Sequence, residues 1–284
     1  MMNDELKKEI EASVANALRE DVGSGDLTAA LVDADAISGA TVVARESMTL
    51  AGMHWFDEVF RQLDDSIVID WYVADGERAE ADDVICKLVG NSRALLTGER
   101  TALNFLQTLS GTATATARFV AAIEGTTAKI LDTRKTLPGL RLAQKYAVRC
   151  GGGHNHRVGL YDGILIKENH LKSAGGIANA LAAAQRADQD VMVEIEVESL
   201  DELKAALDAG AVRILLDNFA LDDIREAVSI NADYGFVGAE LEVSGNVDID
   251  SVRELAEAGV DYISIGALTK HVRAADLSMR FSIG

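Results

Sequence analysis

The chain has 284 residues, 48% of them hydrophobic, with a formal net charge of −19 and a pI near 4.6. That acidity argues against a nucleic-acid ligand, because phosphate contacts need a basic face. There is no N-terminal apolar h-region and no run of ~18 apolar residues, so neither export nor membrane insertion is expected; two cysteines, Cys86 and Cys150, in place of a disulfide framework point to a reducing, cytoplasmic compartment.

In chain order, Leu6, Ile10, Val14 and Leu18 form one stripe and predict a helix over 4–20, broken by Gly23-Ser24-Gly25-Asp26. A strand is expected over 40–50, an amphipathic helix over 53–63 carrying Trp55, Phe56, Val59 and Phe60, and strands over 67–73 and 84–89 around an Asp75-Gly76 turn. This first part reads as mixed α and β with antiparallel pairs. A long helix is expected from Thr101 to about Ile123, with Gly111 inside it as a bend or a close approach and Gly125 ending it. Arg100 stands just before that helix. On position alone it reads as a terminal charge paired with Glu99.

A repeat then sets in. Apolar strand candidates at 128–131, 163–166, 191–195, 212–216, 236–241 and 261–265 alternate with helix candidates at 139–149, 175–187, 199–209, 221–230 and 248–258. Such alternation implies parallel βαβ units. Nearly every strand ends in a reactive or anion-friendly group: Asp132-Thr133-Arg134-Lys135, Lys167-Glu168-Asn169-His170, Glu196, Asp217-Asn218, Ser244-Gly245-Asn246 and Gly266-Ala267. Only a barrel gathers all strand C-termini at one mouth, so a TIM-like α/β barrel is expected, incomplete at six or seven strands. In VMVEIEVE, Val191, Val193, Ile195 and Val197 share the helix-facing side, while Met192, Glu194, Glu196 and Glu198 point inward; Glu240, Glu242 and Ser244 follow the same parity. Inward carboxylates must be paired or bound to metal. Glu196 and Asp217, at strand ends, are the candidates for a divalent ion, and Ser244-Gly245 and Gly266 for a phosphate held by backbone N–H groups.

The segment from Asp132 to Lys172 carries eight Lys and Arg against three acids in a chain of −19. This island fits an anion pocket. Arg141, Lys145 and Arg149 are spaced as a helix face and read equally well as surface charge. Arg134, Lys135, His156, Arg157 and Lys167 adjoin apolar runs and are the stronger functional candidates. Together the residues describe an anion pocket, two carboxylates for Mg²⁺ and a phosphate cradle, which suits a carboxylated small molecule and a metal-chelated polyphosphate. The acidic, Lys-poor remainder would suit a salt-rich cytoplasm, or simply an ordinary acidic enzyme.

The stretches ERTALNFLQTLSGTATAT, DTRKTLPGLR and KYAVRCGGGHNHRVGLYDGILIKENH closely resemble the quinolinate phosphoribosyltransferase family (nicotinate-nucleotide pyrophosphorylase), from about Arg100 to Arg280. The resemblance implies an N-terminal α/β sandwich over 1–110, with a tail over 270–284 packing back onto it, and the catalytic barrel over 111–269. It implies transfer of phosphoribose from phosphoribosyl pyrophosphate to quinolinate, giving nicotinate mononucleotide, pyrophosphate and carbon dioxide in NAD biosynthesis. It places Arg134, His156, Arg157 and Lys167 at quinolinate, with Arg100 reaching in from the partner of a homodimer, itself compatible with a hexamer of dimers. It places Lys135, Glu196, Asp217, Ser244-Gly245 and Gly266 on the phosphoribosyl side, with Mg²⁺ on Glu196 and Asp217 and catalytic roles for Lys135, Glu196, Asp217 and Lys167. The competing readings are a phosphoribosyltransferase for a related aromatic acid, a metal-dependent barrel hydrolase built on His154 and His156, and a non-catalytic anion binder.

Overall fold

The computed structural model describes residues 4–187, 191–235 and 238–283. In order, the elements are α1 (Asp4–Val22), β1 (Ile37–Ala44), β2 (Met48–Thr49), α2 (Met53–Leu63), β3 (Val68–Trp71), β4 (Arg78–Ala79), β5 (Val84–Asn91) and α3 (Ser92–Ala122). They continue with β6 (Lys129–Leu131), α4 (Arg141–Cys150), β7 (Gly163–Ile166), α5 (Glu168–Ala174), α6 (Ile177–Ala187), β8 (Met192–Val197), α7 (Leu200–Asp208) and β9 (Arg213–Asp217). The last are α8 (Leu221–Asp233), β10 (Glu240–Ser244), α9 (Val252–Glu257), β11 (Tyr262–Ser264), α10 (Ala267–Lys270) and β12 (Leu277–Ile283). The strand expected over 236–241 starts on Phe236 and Val237, which lie outside the described residues. The chain forms two compact units: Met1–Ala117 with Thr136–Gly152 and Leu268–Gly284, and Arg118–Lys135 with Gly153–Ala267.

The first unit is built on an antiparallel sheet of order β12-β1-β5-β3. Leu6, Ile10, Val14 and Leu18 of α1, Trp55, Phe56, Val59 and Phe60 of α2, and Leu95, Leu103, Leu106 and Leu109 of α3 share its core with Val42 and Leu88. The strand expected over 40–50 is broken after Ala44. Glu46 interrupts it, its carboxylate accepting the Asp276 N–H at 3.0 Å and an Arg273 N–H at 2.8 Å, which ties down the approach to β12. The long helix begins at Ser92, nine residues before the expected start. Asn91 starts it by accepting the N–H groups of Arg93 and Ala94 at 3.0 and 3.2 Å. Gly98 lies inside the helix, and it is glycine because the Phe60 ring lies 2.6 Å from where a Cβ would stand. Arg100 is therefore a mid-helix residue, and the reading of it as a terminal charge falls.

The helix expected at 139–149 as part of the barrel repeat belongs to this first unit. Ala143 and Ala147 of α4 join its core, and Gln144 accepts the Leu137 N–H and donates to the Thr269 carbonyl, both at 2.8 Å. Among the described residues the second unit itself contains no helix between β6 and β7. Its six parallel strands run in the order β6-β11-β10-β9-β8-β7, with β6 and β7 at the two edges and a single parallel bridge, Leu131↔His154, outside β6. This is the expected incomplete barrel: an N-terminal mixed α/β sheet unit is followed by a six-stranded parallel α/β one. Ile195, Val197, Ile214, Leu216, Leu241, Val243 and Ile263 alternate out of the interior row and are fully buried. That alternation leaves Glu194, Arg213, Glu242 and Tyr262 on the opposite face.

Gly111 tests the packing of the first unit. A Cβ there would run into the Arg273 carbonyl oxygen and backbone. Gly111→Ala should lower unfolding stability by ~1–3 kcal/mol, despite the gain in helix propensity. Urea denaturation showing equal or higher stability would contradict this.

Candidate active site

Because the strands of the second unit are parallel, their C-terminal residues form one rim. Leu131, Ser264, Ser244 and Asp217 are register partners across β6, β11, β10 and β9. The residues just beyond them are Arg134 and Lys135, Gly266, Gly245 and Asn218. Glu196 lies near the end of β8, and Lys167 follows β7. The rim thus collects every barrel residue singled out from the sequence except His156 and Arg157, which come from the loop before β7.

Local sequence explains the rim. Lys135 N–H donates to the Thr133 hydroxyl at 3.0 Å, folding the loop after β6 back on itself. Gly266 has no side chain because the Lys135 stem passes there: a Cβ would stand 2.9 Å from its Cδ. Gly245 has φ +108°, and a Cβ would strike the Asn218 amide, so glycine is required twice over. Asn218, itself at φ +56°, donates its N–H to the Ser244 carbonyl and its side-chain amide to Asp217, both at 2.9 Å. Lys167 Nζ meets Glu196 Oε2 at 2.6 Å, and the Lys167 N–H donates to His170 Nδ1 at 3.0 Å. The Lys167 side chain is 49% exposed. Such a pair contributes ~1 kcal/mol or less, so the ammonium can exchange Glu196 for another anion at little cost.

Below the rim the interior face is ionic. Arg213 of β9 donates to Glu194 Oε1 at 3.3 Å and to Glu242 Oε2 at 2.6 Å, and its guanidinium stacks on Tyr262, 4.0 Å from the ring centre. Both carboxylate side chains are completely buried. His156, also buried, meets Glu194 Oε2 through Nε2 at 2.7 Å, while its Nδ1 accepts the Arg157 N–H at 2.8 Å. Its own N–H donates to Asp132 Oδ1 at 3.0 Å, and Asn155 donates to the other Asp132 oxygen at 2.5 Å. Arg157 donates to the Gly163 carbonyl at 2.9 Å. Burial, and then the neighbouring Arg134 charge, hold the Arg157 guanidinium below its ordinary value, so Arg134 and Arg157 form a cationic pair that an anion would relieve. Burial pushes Glu194 up, but the His156 hydrogen bond and the Arg213 charge outweigh it and hold the carboxyl below the usual range. Glu242 goes the other way: burial and the adjacent Glu194 charge push it up to about 7.

His156, Glu194 and Glu242 offer ligand atoms within 4.8 Å of one another. Arg213 already supplies the cation for both carboxylates, so this trio is a charge ladder and not a metal centre. Glu196 and Asp217 lie on the same face of adjacent strands, nearer the rim and only partly buried. Their hard oxygen donors fit a divalent ion that keeps water or phosphate as its other ligands. Arg100 lies in the first unit, exposed on α3, and makes no hydrogen bond or ion pair among the described residues. Of the basic helix face, Lys145 is buried and Arg141 donates to Thr136 at 3.1 Å, so those residues serve the first unit's own packing. Arg213 was not singled out from the sequence. Its signal was parity, since it is four residues before Asp217 on the same strand face.

Comparison with known proteins identifies the family. Residues 26–110 match "Quinolinate phosphoribosyl transferase, N-terminal domain" and residues 112–280 match "Quinolinate phosphoribosyl transferase, C-terminal domain". The chain is 41% identical over 261 residues to the probable nicotinate-nucleotide pyrophosphorylase [carboxylating] of Bacillus subtilis, covering 92% of this chain and 89% of that one. It is 41% identical over 274 residues to the corresponding Mycobacterium leprae protein, covering 94% and 95%. The solved nicotinate-nucleotide pyrophosphorylase from Francisella tularensis superposes with a TM-score of 0.93 at 49% identity, over 97% of both chains. The fold is that of a phosphoribosyltransferase. The chain belongs to the quinolinate phosphoribosyl transferase family.

Glu242 gives this site a pH signature. Its folded value of about 7 exceeds the ordinary 4.5, so its contribution is complete below 4.5 and is lost as pH rises through about 7. Glu194, held low, contributes above the ordinary value and loses that contribution as pH falls. The stability advantage of the unmodified protein over Glu242→Gln should therefore shrink from pH 5 to 7, by at most ~1.4 kcal/mol per unit. Denaturant unfolding at several pH values checks this, and a constant difference would refute it.

Proposed function

We propose that this chain transfers phosphoribose from phosphoribosyl pyrophosphate to the nitrogen of quinolinate, releasing pyrophosphate and carbon dioxide and forming nicotinate mononucleotide. The observation that carries the reading is the rim, where Arg134, Lys135 and Lys167 follow the same row of strand ends as the Glu196 and Asp217 carboxylates and the Gly245 and Gly266 backbone, with Arg157 close enough to Arg134 to feel its charge. Arginine forks bind planar carboxylates bidentately. Arg134, Arg157 and Lys167, with His156 fixing the loop, suit two adjacent carboxylates and would hold the pyridine nitrogen against C1 of the ribose. Lys135 would take up charge developing on the leaving pyrophosphate, and Ser244-Gly245 and Gly266 would receive the phosphate oxygens on backbone N–H groups. Glu196 and Asp217 would hold Mg²⁺, which supplies charge neutralisation of the diphosphate when bound. After ribosylation the cationic ring nitrogen is an electron sink: the C2–carboxylate bond breaks, carbon dioxide leaves, and the electron pair left on C2 takes a proton. No further organic cofactor is needed. The reading places the protein in the cytoplasm as a homodimer, open to assembly as a hexamer of dimers, with the unpartnered Arg100 completing the neighbour's site.

Three measurements test it. In a pyrophosphate-release assay quinolinate should exceed nicotinate by at least ~100-fold in kcat/KM, because a single carboxylate engages fewer of the half-buried Arg134 and Arg157 donors and the Lys167 ammonium. Comparable efficiencies would favour a transferase for another aromatic acid. Excess chelator should abolish turnover, and Glu196→Gln or Asp217→Asn should lower kcat while quinolinate binding alone persists; full activity in chelator would remove the metal. Arg100→Ala and Lys135→Ala should each be nearly inactive yet recover activity when mixed and reassembled, since one site of each mixed dimer is then intact. No recovery, with mixed dimers shown to form, would place Arg100 in its own subunit's site or in none.

A further inference from the structure

We infer that Glu194 is a positioning residue for quinolinate: it fixes the His156 ring from the barrel interior so that His156 in turn fixes the Arg157 backbone at the anion pocket. The inference rests on the function proposed above. The geometry is directional. A backbone N–H can only donate, so His156 Nδ1, 2.8 Å from the Arg157 nitrogen, carries no proton. The ring proton is then on Nε2, and Glu194 Oε2 at 2.7 Å is its acceptor. Both ring nitrogens are thereby engaged within the second unit, and the imidazole acts through Arg157. Asp132, fully buried at the end of β6, holds the same dipeptide from the other side through the His156 N–H. Arg157 therefore follows a residue whose backbone and ring are both fixed. Removing the Glu194 acceptor frees the ring to rotate and with it the guanidinium that meets the carboxylate.

Glu242 supplies the matched control. It is buried to the same degree and pairs with the same Arg213, but its nearest oxygen is 3.7 Å from His156 Nε2, beyond hydrogen-bond range. A purely structural role for the ladder predicts that losing either carboxylate has the same effect on catalysis. Positioning predicts a split. Glu194→Leu should raise the KM for quinolinate by about tenfold or more, as expected for loss of one charge-assisted hydrogen bond. The KM for phosphoribosyl pyrophosphate should stay within about twofold and kcat within about threefold, a change in ground-state binding of one substrate. Glu194→Gln retains an oxygen that accepts from Nε2–H and should restore the quinolinate KM to within about threefold of the unmodified protein. Glu242→Leu should leave it near the unmodified value at a comparable loss of melting temperature. Should Glu194→Leu not fold, Glu194→Asp, which withdraws the acceptor by one methylene, carries the same expectation. The inference is overturned if the Glu194 variant leaves quinolinate KM unchanged, or if Glu242→Leu raises it equally. If the unmodified protein releases no pyrophosphate with quinolinate, the proposed function itself fails, which is a different result from a neutral variant in an active enzyme.

Discussion

The arrangement on which the second unit depends is a line of charges buried inside its parallel sheet. Glu194, Arg213 and Glu242 stand on three adjacent strands, with His156 at one end and the Tyr262 ring over the guanidinium. No member is tolerable alone: an unpaired buried charge costs several kcal/mol, and removing one partner of a buried pair typically costs ~3–5 kcal/mol. The ladder therefore admits essentially one strand register. Sliding β9 by a single residue would turn Arg213 toward the helices and leave two carboxylates facing each other. Apolar packing alone would not discriminate so sharply, since the outward row of Ile, Leu and Val residues is nearly interchangeable from strand to strand.

The rim obeys the opposite rule. Its ion pair, Lys167 with Glu196, is half exposed on the lysine side and weakly held. The nearby glycines keep side chains out of the way and leave backbone groups accessible. Buried charge cross-linked through Arg213 below and exchangeable charge above give a barrel that holds its shape while its mouth changes partners. His156 connects the two levels, since its ring is bonded to the ladder and its backbone leads into Arg157.

The sequence made much of this legible. Strand alternation in VMVEIEVE places Glu194 inside and Val197 outside, and the chemistry at successive strand ends marks the mouth. Other features were hidden for physical reasons. The start of the long helix at Ser92 was hidden because Gly98 serves the Phe60 ring packed against it, a contact between distant segments. The helix at Arg141–Cys150 has the spacing of a barrel helix, but its alanines and Gln144 are complementary to the first unit, and complementarity between distant segments has no periodicity to read. Arg213 was overlooked because an arginine at the start of a strand usually faces solvent. Likewise, the ring of His156 could be assigned to a substrate or to a carboxylate with equal justice until Glu194 was placed beside it.

The pairing of β1 with β12 bears on how the polypeptide acquires its structure. Seven successive register pairs, from Ser38↔Ile283 to Ala44↔Leu277, join opposite ends of the chain; one of them, Gly39 with Ser282, spans 243 residues. During synthesis β1 can pair early with β5, but its other edge stays open until β12 leaves the ribosome. The whole six-stranded parallel sheet is translated in that interval. The first sheet to begin is thus the last to close, and an unpaired strand edge is a site for wrong partners. Such long-range closure is slow. The vulnerable period of this protein is accordingly set by translation time, and slowing elongation past residue 91 would lengthen exposure of the β1 edge without altering a single native contact.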